Sequence, residues 1–396
     1  MRIVDIRETA VALRSQLANS GFDFSEMTTS VVALITDVIR DGAPVAGFAF
    51  NSTGRYACGA AMRERFIPRL LRADPESLLD RERDNFDPAR VLACMLQREK
   101  SGGHSERSIA IGTIEVALWD AIAKIECKPL HAALAERYNG GAITRDVFCY
   151  VGGGWYRPGG TIADLQDEMR RHLDSGYTMV KMKIGGLPLA QDCRRVEAVL
   201  EVVGAGERLA VDANCKFERE AALAYAQALA PYRLRWFEEP CDPLDFALMA
   251  EIAAAYEGPL ASGENLFSTQ DVENLARFGG AAPRSRHHPG RSAAVLWHRL
   301  LRLHGRDAGA ARLDARRAVS PWRQPDVAAY RGRLRARRGG ILSGRVRPVR
   351  RVCGRCGAAE RPPALAGPSR HRLRGTIGPL SHHARARAVI GADDRS

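Results

Sequence analysis

Five side chains carry most of the chemistry that this sequence can do. Lys181 and Lys183 lie in the run MVKMKI, Asp212 in LAVDAN, Glu238 in RWFEEP and Glu264 in LASGEN. From Lys183 onward the steps are 29, 26 and 26 residues. One strand-plus-helix unit of a parallel α/β barrel takes about 30 residues. Acids repeated at that period sit at the ends of neighbouring strands and converge on one point. Three carboxylates gathered there are hard oxygen ligands suited to Mg²⁺. A single strand-end acid often does no more than cap the following helix. Three at matched spacing beside a Lys-x-Lys strand are not explained that way.

Two lysines two residues apart on one strand share a face, and each raises the cost of charging the other. Their mutual repulsion predicts a lowered pKa, and hence a base near neutrality. The ensemble can remove a proton from the carbon next to a carboxylate. A divalent cation stabilises the charge that its loss creates, and a lysine takes the proton.

The elements that must position these groups follow the same rhythm. Helix-like stretches 189–203, 218–229 and 243–256 separate the four runs. DVFCYVGGGWYRPGG (146–160) reads as an earlier barrel strand with a glycine-rich loop, and a helix over 162–175 ends at Gly176. The glycines do not form a dinucleotide fingerprint. Residues 1–60 alternate apolar and polar in three runs, which predicts an antiparallel meander. Residues 61–137 turn helical, with Ile111, Ile114, Leu118 and Ile122 at helical spacing. Glu115 and Asp120 in that helix read as charges on a solvated face. The predicted fold is α/β: an α+β capping domain over 1–140, then a TIM-like (β/α) barrel over 141–280, incomplete at its C-terminal end.

Composition sets further bounds. No apolar run approaches the roughly 18 residues of a membrane span, and the charged N-terminus is unlike a signal peptide. Nine scattered cysteines suit the reducing cytoplasm. The net charge of +13 suggests nucleic acid but is unevenly placed. Residues 1–280 hold 32 basic and 40 acidic side chains, and residues 281–396 hold 27 arginines against 6 acids. All twelve Phe and all eight Met precede residue 281. High charge with few aromatics points to a disordered arm before a nucleic-acid-binding one. Cys353 and Cys356 lack a second ligand pair for zinc, and His287, His288, His382 and His383 lack a fixed scaffold.

GTIEVALWDAIAKIECKPLHAAL, KMKIGG, VDAN, WFEEP and SGEN, in this order, resemble the enolase superfamily of the mandelate racemase/muconate lactonizing enzyme type. The resemblance covers residues 1 to about 280. FNSTGRY, GGHSERSIAIGTIEVALWDA, VKMKIGG and GENLFS are most similar to its D-tartrate dehydratase branch. The resemblance implies Asp212, Glu238 and Glu264 as Mg²⁺ ligands and Lys183 as the base. It implies that Lys181 tunes Lys183 or holds the substrate carboxylate, with Asn214, Asn51 and Arg55 as substrate contacts. Loops near Ser20–Asp23 and Phe50–Arg55 would close over the site. The implied reaction is loss of water from a small hydroxy acid, tartrate to oxaloacetate, completed by a His–Asp pair on later strands. A sugar-acid dehydratase is the alternative within the class, and identical chains are expected to assemble by analogy. From another class comes a catalytically dead metal-binding remnant with a polyanion-binding tail.

After Gly280 the family pattern stops, and an Arg, Ala, Pro and Gly mixture follows. Ser320–Val327 (SPWRQPDV) can be encoded TCC CCA TGG CGG CAA CCA GAT GTC, which one base later reads PHGGNQM. That is a family-like stretch around a catalytic His. Gly344–Cys356 permits GVF-x-PFGGFADD and Arg284–His288 permits DRDI in the same frame. The tail therefore reads as frameshifted. A barrel without its last strands exposes edges and core, so a poorly folded, inactive chain is expected. Sequencing the gene across the Gly280 codon should show a slipped base, and an intact frame would remove this explanation. A salt-sensitive DNA shift that is lost on truncation after Gly280 would favour the polyanion-binding tail.

Overall fold

A computed structural model describes residues 1–280 except 14, 16 and 144–147, together with the backbone of 294–295. The first three strands are β1 (Ile3–Ala12), β2 (Thr28–Arg40) and β3 (Ala43–Phe50). They form an antiparallel sheet in the order β1-β2-β3. Alternation along β2 buries Ser30, Val32, Leu34 and Thr36 on one face. Against that face lies the helix His104–Ile125, with Ile111, Ile114, Leu118 and Ile122 all buried. This is the face predicted by their spacing.

Helix and sheet approach to backbone contact at Gly47, where a Cβ atom would stand 1.9 Å from the carbonyl oxygen of Ala117. Asp120 departs from the solvated-face reading. Its half-buried carboxylate accepts the β3 edge amide of Phe48 at 2.8 Å and Lys124 Nζ at 2.6 Å. Lys124 Nζ in turn donates to Ala46 O at 2.8 Å. Helix and strand edge are thereby stitched together, which satisfies an edge amide that would otherwise face solvent. Glu115 is half-buried as well.

Six parallel strands follow: β4 (Val151–Gly153), β5 (Val180–Lys183), β6 (Leu209–Asp212), β7 (Trp236–Glu238), β8 (Leu260–Ser262) and β9 (Ala294–Val295). They pair in chain order, each with the next. Helices Ile162–Asp174, Leu189–Val203, Arg219–Leu229, Phe246–Ala255 and Thr269–Phe278 connect them. This is the wall of an α/β TIM barrel beneath an N-terminal capping domain. The first helix starts from a Thr161–Asp164 capping box, and Gly176 just past its end has φ 89°. Val180, Met182, Val211, Phe237 and Leu260 point outward into the helix layer. Tyr150, Met179, Ala210, Trp236 and Ala261 make a separate apolar layer inside the barrel. Tyr150 and Trp236 meet edge to face there, their ring centroids 5.2 Å apart.

The backbone of β9 pairs with β8, Ala261 opposite Ala294 and Ser262 opposite Val295. The sheet thus continues beyond residue 280. The frameshift segments 284–288, 320–327 and 344–356, the Cys353/Cys356 pair and the four tail histidines lie outside the described residues. No described helix is long and apolar enough to cross a membrane.

The close approach at Gly47 has a measurable consequence. Gly47→Ala should destabilise the chain by about 1–3 kcal/mol through overpacking. Gly112→Ala, on the same helix with open space around it, should stabilise by about 0.5–1 kcal/mol through helix propensity. Urea unfolding midpoints compare them, and equal effects would contradict the packing described.

Candidate metal centre and active site

Strand register brings the charged groups level. Lys183 pairs with Asp212, and Asp212 with Glu238. Lys181 Nζ stands 2.7 Å from Glu238 Oε1 and 2.9 Å from Asp212 Oδ2. Lys183 Nζ stands 2.7 Å from the same Asp212 oxygen. Trp236, rising from the layer below, donates Nε1–H to Glu238 Oε2 at 2.8 Å. The backbone N–H of Asn214 donates to Asp212 Oδ1 at 2.9 Å.

Glu264 arrives differently from the others. Ala261 faces the barrel interior and Leu260 the helix layer, so alternation sends Ser262 outward. Simple period-2 reading puts Ser262 and Glu264 on one face. Gly263, at φ 123°, breaks the alternation and turns Glu264 inward. One oxygen from each of Asp212, Glu238 and Glu264 then lies within 4.8 Å of the others. Among the described residues this is the cluster with metal-holding geometry.

The charges are strongly perturbed. Burial alone would raise Asp212, but Lys181 and Lys183 hold it below the ordinary carboxylate range. Glu238 is pushed up to about 7 by burial, with Lys181 offsetting part and Asp212 and Glu264 adding to it. Asp212 takes the larger share because both lysines reach it and only one reaches Glu238. Glu264 is raised by burial and by Asp212. For Lys181 the expected mutual depression is corrected. Burial lowers its pKa, but Asp212 and Glu238 outweigh that and keep it well above the usual lysine range. The sequence showed the like charge two residues away, but not two carboxylates within hydrogen-bonding distance.

These groups fit a divalent cation. Three hard oxygen donors converge, two of them resist ionisation because they are buried beside other carboxylates, and the buried Asn214 Oδ1 has no hydrogen-bond partner. The capping domain reaches the same place. Ser20 Oγ donates to Ala213 O at 3.0 Å. Arg55 donates to Asn265 Oδ1 at 3.0 Å and stacks over Phe267, its guanidinium carbon 5.1 Å from the ring centroid. Asn51 does not join them as an open substrate contact. It is 5% exposed, and its Oδ1 accepts Ser30 N–H at 2.7 Å and Thr29 Oγ1–H at 3.0 Å. It anchors the start of the loop that carries Arg55.

Two neighbours of the site escape the spacing argument. Trp155, in the loop after β4, places its ring 5.0 Å from Lys183 Nζ and meets Phe24 of the capping domain edge to face at 5.4 Å. Glu239, beside Glu238, is buried and accepts Asn265 Nδ2–H at 3.1 and 3.2 Å. Burial and the nearby Glu264 and Asp212 raise it well above the carboxylate range. The doubled Glu of RWFEEP is the only sequence signal for it.

Comparison with known proteins gives the same class. Residues 164–282 match the family model described as enolase C-terminal domain-like. The chain is 30% identical over 253 residues to L-talarate/galactarate dehydratase of Salmonella typhimurium, covering 62% of this chain and 58% of that protein. It is 36% identical over 248 residues to 3,6-anhydro-alpha-L-galactonate cycloisomerase of Streptomyces coelicolor, covering 62% and 64%. It therefore spans less than two thirds of these relatives' lengths. Among solved structures, a racemase from Streptomyces coelicolor A3(2) with bound magnesium superposes with TM-score 0.59 at 28% identity, over 70% of this chain and 73% of that one. The Salmonella typhimurium L-talarate/galactarate dehydratase with Mg and L-lyxarohydroxamate gives 0.56 at 26%, over 69% and 67%. Residues 164–282 are thus enolase C-terminal domain-like, and the chain is similar to enzymes of the mandelate racemase/muconate lactonizing enzyme type. Mg²⁺ is the cofactor that the acid cluster and these neighbours support.

The raised Glu238 predicts a pH dependence. The folded carboxyl keeps its proton to about pH 7, while the unfolded one loses it near the ordinary glutamate value. The folded state thus holds more protons in that window, and stability falls as pH rises through it. Mg²⁺ needs the ionised ligand, so its binding strengthens over the same range. The gain in Tm on adding Mg²⁺ should grow from about pH 6 to about pH 8, and Glu238→Gln should weaken binding by more than about tenfold. A gain independent of pH would contradict this assignment.

Proposed function

We propose that residues 1–280 carry the metal-binding and proton-abstracting half of a hydroxy-acid dehydratase, a hydro-lyase. Residues 1–140 form its cap, residues 141–280 hold the metal ligands, and residues 281–396 are a non-family tail. The observation that carries this reading is the convergence of Asp212, Glu238 and Glu264 within 4.8 Å, with Lys183 Nζ 2.7 Å from Asp212. Bound there, Mg²⁺ would supply the charge that stabilises an enediolate. Lys183 takes the proton α to the substrate carboxylate. Lys181, fixed between Asp212 and Glu238, holds positive charge beside that carboxylate, while Asn214 and Arg55 orient the rest of the molecule.

The specific reaction proposed is tartrate to oxaloacetate. The similarity to L-talarate/galactarate dehydratase favours a sugar acid as the second reading. Expulsion of hydroxide needs an acid on the other side of the substrate. His172, the only histidine in the described barrel, sits on an outer helix and not on a strand. The chain as written is therefore proposed to bind Mg²⁺ without completing turnover. A cytoplasmic location agrees with the seven described cysteines, all free.

The test pairs Mg²⁺ calorimetry with an acid-sugar screen that follows both product and α-proton exchange in D₂O, on this chain and on one with the frame restored. Mg²⁺ binding lost in Asp212→Asn, exchange lost in Lys183→Met, and oxaloacetate from tartrate only with the frame restored are the expected results. Absence of Mg²⁺ binding to the parent chain would sink the reading, and turnover by the chain as written would refute its inactivity.

A further inference from the structure

Behind Lys183 lies a second buried polar cluster, which the chemistry above leaves unused. Asp192, 1% exposed on the helix Leu189–Val203, accepts four hydrogen bonds. They come from Tyr156 Oη at 2.7 Å, Tyr225 Oη at 2.9 Å, Gly185 N at 2.6 Å and Arg195 at 3.1 Å. Arg195, also buried, divides its remaining donors between two backbone carbonyls. One is that of Lys183, at 3.0 Å, and the other that of Gly154, at 2.6 Å. Its guanidinium lies 4.2 Å from the centre of the Tyr156 ring.

These contacts tie together three segments that meet at the catalytic amine. One is the end of β5, which carries Lys183. The second is the 154–156 loop, whose Trp155 ring faces Lys183 Nζ. The third is the capping loop, because Tyr156 N–H donates to Ala18 O at 3.0 Å and Phe24 of that loop packs on Trp155. A planar guanidinium can span two carbonyls at fixed separation, whereas an ammonium cannot hold the same fork. Left without it, two buried carbonyls would lose their partners.

We infer that Arg195, clamped by Asp192, is a positioning residue that sets Lys183 and Trp155 against each other, and that Tyr156 extends this constraint to the capping loop at 17–27. The inference rests on the reading of Lys183 as the base. It adds that the base is aimed from behind, by a cluster that touches neither substrate nor metal ligand. Asp192 holds Arg195, Arg195 holds both backbone segments, and Tyr156 links them to the loop that covers the site.

The test is site-resolved acetylation of the full chain with an N-hydroxysuccinimide acetate, read by mass spectrometry against the exposed Lys100. Arg195→Met should speed modification of Lys183 relative to Lys100 by about five-fold or more, because the strand end and its aromatic cover are released. Arg195→Lys should not restore the parent rate. Tyr156→Phe should act in the same direction and also raise amide exchange across 17–27, and it carries the test alone should Arg195→Met not fold. Tyr225→Phe removes another Asp192 contact but touches no atom of the 154–156 loop, and should stay within about two-fold of the parent. An unchanged Lys183 rate in Arg195→Met and Tyr156→Phe would overturn the inference. So would an equal rise in Tyr225→Phe, since that would mean general loosening. A Mg²⁺ titration of the same proteins separates the two readings: a parent chain that binds no Mg²⁺ defeats the proposed function, while the acetylation comparison still decides the positioning role.

Discussion

The structure depends on one electrostatic constraint: three carboxylates held together away from water. Like charges about 4 Å apart repel by about 4 kcal/mol at an effective dielectric of about 20. Asp212 and Glu238 have no exposed surface at all. Lys181 and Lys183 meet part of that cost, but two ammonium groups do not balance three carboxylates, and Glu239 adds a fourth acid beside them. Burial first, and this imbalance after it, raises the pKa values of Glu238, Glu239 and Glu264. A buried ion cluster is poor evidence for stability, since desolvation commonly exceeds the Coulombic gain. It makes better sense as a site held ready for a divalent cation.

Holding it ready takes a rigid frame. The register of β5, β6 and β7 sets Lys183, Asp212 and Glu238 side by side. Ala210 is small enough to leave room for Trp236 between neighbouring strands, and Trp236 both fills the interior layer and donates to Glu238. Past the strand end the backbone enters the left-handed region at Asn214 (φ 50°) and Cys215 (φ 61°). Cys215 N–H there donates to Glu239 O at 2.7 Å, which locks the two strand ends together. The conformation is unusual for a cysteine and is sustained by its surroundings.

What could be read from the sequence divides along physical lines. Period and burial are local properties of a string, so the meander, the helix face of Ile111 to Ile122 and the acids at barrel spacing were all visible. Contacts between distant segments were not. The resemblance implied Asn51 as a substrate contact, yet its oxygen accepts from Ser30 and Thr29 across the sheet. Lys181 looked like a depressed amine because the nearest charge in sequence is another lysine, whereas the nearest in space are carboxylates. Ser262 and Glu264 seemed to share a face until the dihedral of Gly263 reversed the count. Trp155, Asp192 and Arg195 carried no signal, since their role depends on where three separate segments meet.

That division also bears on how the site separates its tasks. Asp212, Glu238, Glu264 and the two lysines come from the strand ends of β5 to β8, where the barrel fixes them. Ser20, Phe24 and Arg55 come from the capping domain and touch the site only through loops, at Ala213, Trp155 and Asn265. Loops tolerate substitution far better than strand ends do, so the capping groups can change without disturbing the acid cluster or Lys183. Similar proteins named as a dehydratase and as a cycloisomerase are what such a partition would produce. Lys183 is the point where the two parts meet, its amine paired with Asp212 and its flank covered by Trp155, which meets Phe24 of the capping loop edge to face. Cap and strand ends therefore meet at one point, and that point lies within the described residues.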